Sequence, residues 1–471
     1  MNYYFIGIGG IGMSALARYF SQTGHRVEGY DHTQSPLTDE LQAEGIKVHY
    51  DDNPGAIPSD IDLVVYTPAV PDDLQELQEL RRRGVAIKKR SEVLGELTRG
   101  KRCIAVAGSH GKTTTSALIA YLLKSSPIGC SAFLGGISKN INSNVLIDKK
   151  SDYVVVEADE FDRSFLRLHP YKAVITATDP DHLDIYGTHE NMMDAYIQFA
   201  NQVDPEGDLF LKEHIFLTAA GEPYVEYGHE HHHDDDHAHA HRLVHPHVHS
   251  YTAHGVEADY YAINVRAYNG NIFFDLRTPQ GVLYDIELCG TALYNVENAV
   301  AASAVALSCG LDQYQLRSGL KSFAGVRRRF DYRIREKDLV YIDDYAHHPA
   351  EIKATIDSVR FLYPDRRVVG VFQPHLYSRT RDLADQFAEV LQELDEVVMM
   401  PIYPAREKPI AGVTSSMVLR KMTTMNKYLC TPDQVLDLLP ALCPDVVLTL
   451  GAGDIDRIVP RVEQTLREQV L

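Results

Sequence analysis

The sequence predicts an α/β protein of three units, each built on a mostly parallel sheet. Three observations predict it. Short apolar runs alternate with helical patterns, as chains of β-α-β crossovers do. Two glycine-rich loops each stand between a strand and a helix. The chain has 471 residues, enough for about three domains at roughly 150 residues apiece.

The first unit spans residues 1–99. Tyr3 to Ile8 reads as a strand ending in a glycine-rich turn, and Met13 to Ser21 as a helix. Arg26 to Tyr30 is a second strand ending at Asp31, and Leu63 to Tyr66 is a further buried strand. Arg81 to Arg83 with Gly84 closes a helix, since cations favour a helix C-terminus. The second unit, 100–323, opens with the strand Cys103 to Val106, a glycine loop, and a helix from Thr113 to Leu123. Tyr153 to Val156 and Ala173 to Thr176 fit interior parallel strands. The third unit, 324–471, carries Val340 to Asp344, Arg367 to Phe372, Glu396 to Met400 and Val446 to Leu450 as strands. One segment stands apart. Residues 229–254 hold 11 of the 22 histidines, together with Asp234, Asp235 and Asp236, and read as a mobile surface loop. Its imidazoles, His231, His232, His233, His237, His239 and His241 among them, can take up Zn²⁺, Ni²⁺ or Cu²⁺. Their irregular spacing favours opportunistic binding over a built site.

Composition narrows the function. Hydrophobic residues are 45% and charged residues 24%, ordinary for a globular protein. Lys plus Arg is 46 against 65 Asp plus Glu, a formal net charge of −19. That argues against a nucleic-acid binder, which needs a basic surface. It leaves room for small anions, which need only a local positive site. The sequence MNYYFIGIGG lacks the basic region of a secretory signal, and no apolar run reaches the length of a membrane span, so a cytoplasmic protein is expected. The six cysteines form no C-x-x-C pair and read as reduced thiols, mostly core filler.

Gly7-Ile8-Gly9-Gly10-Ile11-Gly12 satisfies G-x-G-x-x-G between a strand and a helix. Its glycines allow a tight turn and close approach to a diphosphate on the helix N-terminus. Asp31 stands where a ribose-binding acid belongs. The motif alone does not separate a dinucleotide cofactor from a nucleotide sugar. Gly108-Ser109-His110-Gly111-Lys112-Thr113-Thr114-Thr115 is a phosphate loop of a shorter variety. Backbone amides would cradle phosphate oxygens, Lys112 would neutralise them, and Thr113 or Thr114 would offer a hydroxyl to Mg²⁺.

Glu157 follows the strand Tyr153 to Val156, where carboxylates face the nucleotide crevice, and is the natural Mg²⁺ ligand. His182 lies among acids in Asp179-Pro-Asp-His-Leu-Asp184 and is expected near metal or phosphate. In the third unit, 341–351 and 372–382 are strand-to-loop transitions dense in His, Tyr and Arg. Arg379 and Arg381 could clamp a carboxylate or phosphate. The basic run Arg327 to Arg329 at the unit junction is expected to meet an anion.

Taken together, these residues resemble the Mur ligases. The resemblance is carried by GIGGIGMSALA (7–17), GSHGKTTT (108–115), EADEFDRSF (157–165), DPDHLDIYG (179–187), NVENA (295–299), RRF (328–330), DDYAHHP (343–349), FQPHLYSRTRD (372–382) and GAGDI (451–455). It implies a Rossmann-like N-terminal domain holding a UDP-sugar, a P-loop ATPase central domain, and a Rossmann-like C-terminal domain that binds the amino acid and closes over the site.

It also implies site residues. Gly9, Gly10, Ile11, Gly12 and Asp31 would meet the sugar nucleotide. Lys112 with the loop from Gly108 to Thr114 would hold ATP, with Thr113, Glu157 and His182 around Mg²⁺. Asn295 and Asn298 would lie near adenine, and Tyr294, Arg328 and Asp344 would complete the nucleotide contacts. Tyr345, His348, His375, Arg379 and Arg381 would surround the muramoyl carboxylate and the incoming amine. Lys112, His182, Glu157, His348 and Arg379 are the expected catalytic set. Three positions depart from the family pattern: Tyr294 stands where many members have His, Ala177 where many have Asn, and Leu376 where many have Arg.

The reaction so implied is ATP-dependent ligation through an acyl phosphate, in cytoplasmic peptidoglycan precursor synthesis. The GIGGIGMSA form favours L-alanine joined to UDP-N-acetylmuramate, by a monomer or dimer. A branch that attaches a whole tripeptide to the same sugar is the near alternative. An NAD-dependent oxidoreductase is the remote one, because hydride transfer needs no phosphate loop with acidic partners. A P-loop switch protein would leave the first glycine motif unexplained.

Overall fold

The structure, a computed structural model, describes all residues except 181–182, 216, 218–242, 255–257, 406 and 471. His182 and the six histidines from His231 to His241 therefore lie outside the described residues.

The first sheet comprises β1 (Asn2–Ile6), β2 (Arg26–Tyr30), β3 (Lys47–His49), β4 (Leu63–Tyr66) and β5 (Ile87–Lys89). Its order is β3-β2-β1-β4-β5, parallel throughout. Strand order reverses on either side of β1, and such a switch point opens a crevice at the strand ends. The strand expected over Tyr3 to Ile8 stops at Ile6. Gly7 turns with φ +81°, and the amides of Gly7 and Ile8 both donate to the Tyr30 carbonyl. The turn leads directly into α1 (Ile11–Gln22).

The second sheet contains β6 (Arg102–Ala107), β7 (Ser131–Ser138), β8 (Ser143–Leu146), β9 (Tyr153–Glu157), β10 (Pro170–Ile175), β11 (Asp208–Lys212), β12 (Val248–Thr252), β13 (Tyr260–Tyr268), β14 (Asn271–Thr278) and β15 (Gly281–Leu288). Its order is β15-β14-β13-β12-β11-β10-β6-β9-β7-β8. β10, β6 and β9 run parallel side by side, so the loops at their C-terminal ends share one edge. α2 (Lys112–Lys124) follows β6. Residues 248–252, read as part of a mobile loop, form β12, which pairs in parallel with β11 and buries Tyr251. The histidine-rich composition masked the alternation in Val-His-Ser-Tyr-Thr. The strands from β13 to β15 were not anticipated either.

The third sheet comprises β16 (Asp331–Arg335), β17 (Val340–Asp344), β18 (Val368–Phe372), β19 (Glu396–Met399), β20 (Lys427–Leu429) and β21 (Val446–Leu450), in the order β16-β17-β21-β18-β19-β20. Only β16 is antiparallel to its neighbour. Its core gathers Tyr341, Val369, Val371, Val398, Val447 and Leu466.

By internal packing the chain divides into two units. One holds Met1–Ile263, Asp275–Tyr284 and Glu297–Phe323; the other holds Asn264–Phe274, Asp285–Val296 and Ala324–Leu471. Within the first, the two sheets share a continuous core that includes Phe5, Leu16, Phe20, Phe133 and Val156. A buried polar contact crosses it: Arg18 on α1 donates to Asn144 on β8 at 2.7 Å. All six cysteines are free. Cys103, Cys130 and Cys430 are buried as expected, whereas Cys289 and Cys443 are exposed and fill no core. No helix among the described residues is long and apolar enough to cross a membrane.

Candidate active site

The phosphate loop is the best-defined feature. It leaves β6 at Ala107 and enters α2 at Lys112. Gly108 has φ +130°, and a Cβ there would lie 2.3 Å from Thr176 Oγ1 and 2.7 Å from the Ala177 amide nitrogen. Gly111 has φ +81°, and a Cβ would meet Asn298 Oδ1 at 2.7 Å. Only glycine fits either place. Thr176, at the end of β10, donates to the carbonyls of Ala107 and His110, and Ser109 N–H donates to Ala177 O at 3.1 Å. The contact at residue 177 is thus made by backbone, so an alanine serves there. Ser109 Oγ is buried without a hydrogen-bond partner among the described residues. An orphaned donor beside a helix N-terminus fits a phosphate oxygen.

Lys112 lies within this loop. Its ammonium donates to Gly108 O at 2.5 Å and to Glu160 Oε1 at 2.7 Å. Burial would lower its pKa, but the carboxylates of Glu160 and Glu157 outweigh that and hold it above the ordinary lysine value. Burial pushes Glu160 the other way, above the usual carboxylate range, against the pull of Lys112. Glu160 is 1% exposed. It sits inside the acidic motif 157–165, but nothing local in the sequence says which carboxylate there reaches Lys112.

Glu157 ends β9, opposite Val106 on β6. One of its oxygens accepts from Gly135 N–H at 3.1 Å. A Cβ on Gly135 would lie 2.2 Å from that carboxylate. Gly135, on β7, is therefore a positional requirement that sequence spacing did not reveal. Thr113 and Thr114 are buried at the start of α2. Among the described residues no three His, Cys, Asp or Glu side chains form a metal-holding group. A Mg²⁺ site does not need one, since that ion takes one or two protein ligands, waters and phosphate oxygens. Asn298 takes part in the loop's architecture, with Thr115 Oγ1 donating to its Oδ1 at 3.1 Å.

The glycine loop of the first sheet is braced by Asp31. Its Oδ2 accepts from Gly9 N–H at 2.7 Å and its Oδ1 from Thr33 N–H at 3.0 Å. Expected as a ribose contact, Asp31 here engages both oxygens with backbone. Gly10 precedes α1 without a side-chain cap, and the first turn has no acidic residue. Its amides are those the helix leaves for an anion. Gly12 lies under Arg90, whose Nη1 would be 2.7 Å from a Cβ there. Arg90 was not anticipated.

In the packing unit that holds Ala324–Leu471, Arg328 and Arg329 lie over the ring of Tyr345, at 5.2 and 5.0 Å. Arg328 is engaged internally as well, donating to Gly451 O at 2.6 Å and Asp343 at 3.3 Å. Asp344 is 3% exposed and accepts from Tyr294 Oη, Phe330 N–H, Ala346 N–H and Thr355 Oγ1. Burial drives the Tyr294 hydroxyl well above its ordinary pKa, reinforced by Asp344. Tyr294 and Asp344 thus satisfy one another, and Asn295 donates to Thr291 Oγ1. Asp343, also buried, is pushed up to about 6 by desolvation, with Arg328 and Thr449 pulling down.

His348 caps α3 (Pro349–Leu362), its amide donating to Glu351. His375 stacks on Tyr403 at 5.8 Å and lies edge-on to His347 at 6.0 Å. Leu376 has φ +71°, a strained value for a branched residue, fixed by its amide's bond to Tyr403 O. The two arginines differ. Arg381 is half exposed and doubly bonded to Asp382. Arg379 Nη1 is buried with no partner among the described residues.

The family follows from comparison with known proteins. Models of the Mur ligase family match in order along the chain: the catalytic domain over 2–102, the middle domain over 106–306, and the glutamate ligase domain over 328–453. The chain belongs to the Mur ligase family, with its three-domain α/β architecture. It is 48% identical over 474 residues to the UDP-N-acetylmuramate–L-alanine ligase of Parabacteroides distasonis, covering 99% of this chain and 97% of that protein. It is 48% identical to the enzyme of the same name from Porphyromonas gingivalis W83, covering 98% of each. The crystal structure of UDP-N-acetylmuramate-alanine ligase from Thermotoga maritima superposes with a TM-score of 0.82 at 26% identity, covering 99% of both chains. A murein peptide ligase from Psychrobacter arcticus shares the fold, with a TM-score of 0.66 at 19% identity over 99% and 98%. Neither the tripeptide-ligase reading nor the oxidoreductase reading is favoured.

Proposed function

We propose that this chain joins L-alanine to the lactyl carboxylate of UDP-N-acetylmuramate, using ATP, in cytoplasmic peptidoglycan precursor synthesis. The observation that carries the reading is identity of 48% over nearly the full length with enzymes so named. Its domains are assigned as 1–99 for the UDP-sugar, 100–323 for ATP and 324–471 for the amino acid.

A carboxylate resists attack by an amine, so it must first be activated as an acyl phosphate. The chain's own task is then to position charge. The amides and the Ser109 hydroxyl of the phosphate loop hold phosphate oxygens, and Lys112 supplies the positive charge. Thr113 and Glu157, with His182, would hold Mg²⁺, which neutralises phosphate charge when bound. Gly9 to Gly12 and the first turn of α1 receive the UDP diphosphate. Asn298 keeps the phosphate loop's shape, and Tyr294 with Asn295 and Asp344 forms the proposed adenine side. In the third domain Arg379, with its open guanidinium edge, holds substrate carboxylate. His348, His375 and Tyr345 line the same proposed amino-acid site, and Arg381 needs only to exchange Asp382 for substrate.

The test is phosphate release with UDP-N-acetylmuramate, ATP and Mg²⁺, supplying each amino acid and the tripeptide in turn. L-alanine should support the highest kcat/KM. Turnover with tripeptide alone would reassign the chain.

A further inference from the structure

We propose that Arg90, Asp159 and Glu160 are positioning residues that join the two nucleotide loops, so that the UDP-sugar in the first domain sets the availability of Lys112 to ATP. The proposal rests on the substrate assignment above.

The contacts form one unbroken series inside the first unit. Arg90 packs its Nη1 against Gly12, on the first turn of α1. Its Nη2 donates to Asp159 Oδ2 at 3.0 Å. The other oxygen, Asp159 Oδ1, accepts from Phe161 N–H at 3.1 Å. Glu160 lies between these two residues in the chain, and its carboxylate holds Lys112 at 2.7 Å. Lys112 in turn reaches Gly108 O in the phosphate loop. The segment has little slack. Asp162 and Arg163 are both left-handed at φ +53°, Arg163 N–H returns to Glu160 O, and Tyr186 Oη donates to the same carbonyl at 2.6 Å.

The charges give the series a direction. An anion on the first turn of α1 lies beside the Arg90 guanidinium, which then divides its donors between that anion and Asp159. Any shift of Asp159 moves Phe161 and with it Glu160. Lys112 is neutralised by Glu160 and must be released in part to meet a phosphate. Loosening that pair therefore favours ATP, and the UDP-sugar should tighten nucleotide binding. Linkage requires the effect to be reciprocal.

A neighbouring ion pair supplies the control. Lys89 donates to Asp162 at 2.8 Å, joining the same loop to β5 but bypassing Gly12 and Phe161. If these pairs merely glue the loop down, removing either should act alike.

The experiment is calorimetric titration of the full chain with UDP-N-acetylmuramate and with Mg²⁺ plus a non-hydrolysable ATP analogue, each alone and in the presence of the other. In the native chain each ligand should tighten the other by at least about 5-fold, the lower end of ordinary coupling. Asp159→Asn should keep each single-ligand affinity within roughly threefold and reduce the coupling below about twofold. Asp162→Asn should retain the native coupling, and Asp159→Glu should restore part of it. Absence of coupling in the native chain, native coupling in Asp159→Asn, or equal loss in Asp162→Asn would each overturn the proposal. Failure of the native chain to bind UDP-N-acetylmuramate at all would instead overturn the substrate assignment, and this inference with it.

Discussion

Gly135→Ala separates catalysis from stability more cleanly than removal of a charged group. The added methyl would lie 2.2 Å from a Glu157 carboxylate oxygen and 2.4 Å from the carboxyl carbon. Ordinary contact requires the carboxylate to withdraw by about 1 Å, and its bond from Gly135 N–H at 3.1 Å is lost. The backbone at 135 is not among the left-handed glycines. Alanine therefore imposes no φ strain, and within a strand it gains roughly 0.5–1 kcal/mol over glycine. That gain offsets the lost hydrogen bond, itself worth about 1 kcal/mol. The folded state should change little, while a displacement of about 1 Å at a carboxylate proposed to hold the metal should cost on the order of 100-fold in rate. The assay is phosphate release across a Mg²⁺ titration, with thermal unfolding beside it. We expect kcat to fall by about two orders of magnitude and the Mg²⁺ requirement to rise, with Tm within a few degrees. Native kcat and native Mg²⁺ dependence in the variant would refute the assignment of Glu157 to the metal.

Lys112→Ala should abolish phosphate release while far-UV circular dichroism is preserved, because the lost charge matters most in the phosphoryl-transfer state; substantial turnover would remove Lys112 from the site. Arg379→Ala should lower kcat/KM by at least about 100-fold and Arg381→Ala by only a few-fold, since only Arg379 has an unengaged buried edge; equal losses in steady-state kinetics would contradict that distinction. Asp343 carries a pH signature. Its folded pKa, about 6, is raised above the ordinary 3.8, so its contribution to stability is fully present below about pH 4 and is lost as pH rises through 6. The loss is at most about 3 kcal/mol. In urea unfolding, the stability of the native chain relative to Asp343→Asn should therefore decline from pH 5 to pH 7, and a flat difference would show that the carboxyl is not perturbed.

Local chemistry made much of this protein legible. A glycine that must turn, a strand that must be buried and a helix that must begin leave marks within a few residues, and so both glycine loops and the strands around them could be read directly. The same holds for Lys112 and Glu157, whose positions relative to a strand end suffice to aim them. What the linear pattern did not contain were pairings set by which strands become neighbours. Lys112 and Glu160 are 48 residues apart, and Arg90 and Asp159 are 69 apart. Each meets its partner only because β9 lies against β6 and the two sheets of the first unit share one core. Asp31 could be placed at a strand end, but only the fold shows its carboxylate bonded to the amides of Gly9 and Thr33. Arg379 and Arg381 look alike in sequence, yet burial leaves one guanidinium edge open while Asp382 occupies the other. The histidine-rich stretch shows the reverse error: composition argued for a loop, and pairing with β11 drew Val248–Thr252 into the sheet. Sequence determined the elements that flank the glycine loops and the chemistry each could offer. Tertiary structure decided which charges are paired with one another and which keep an open edge, because hydrogen bonds and ion pairs depend on distances that chain order does not specify.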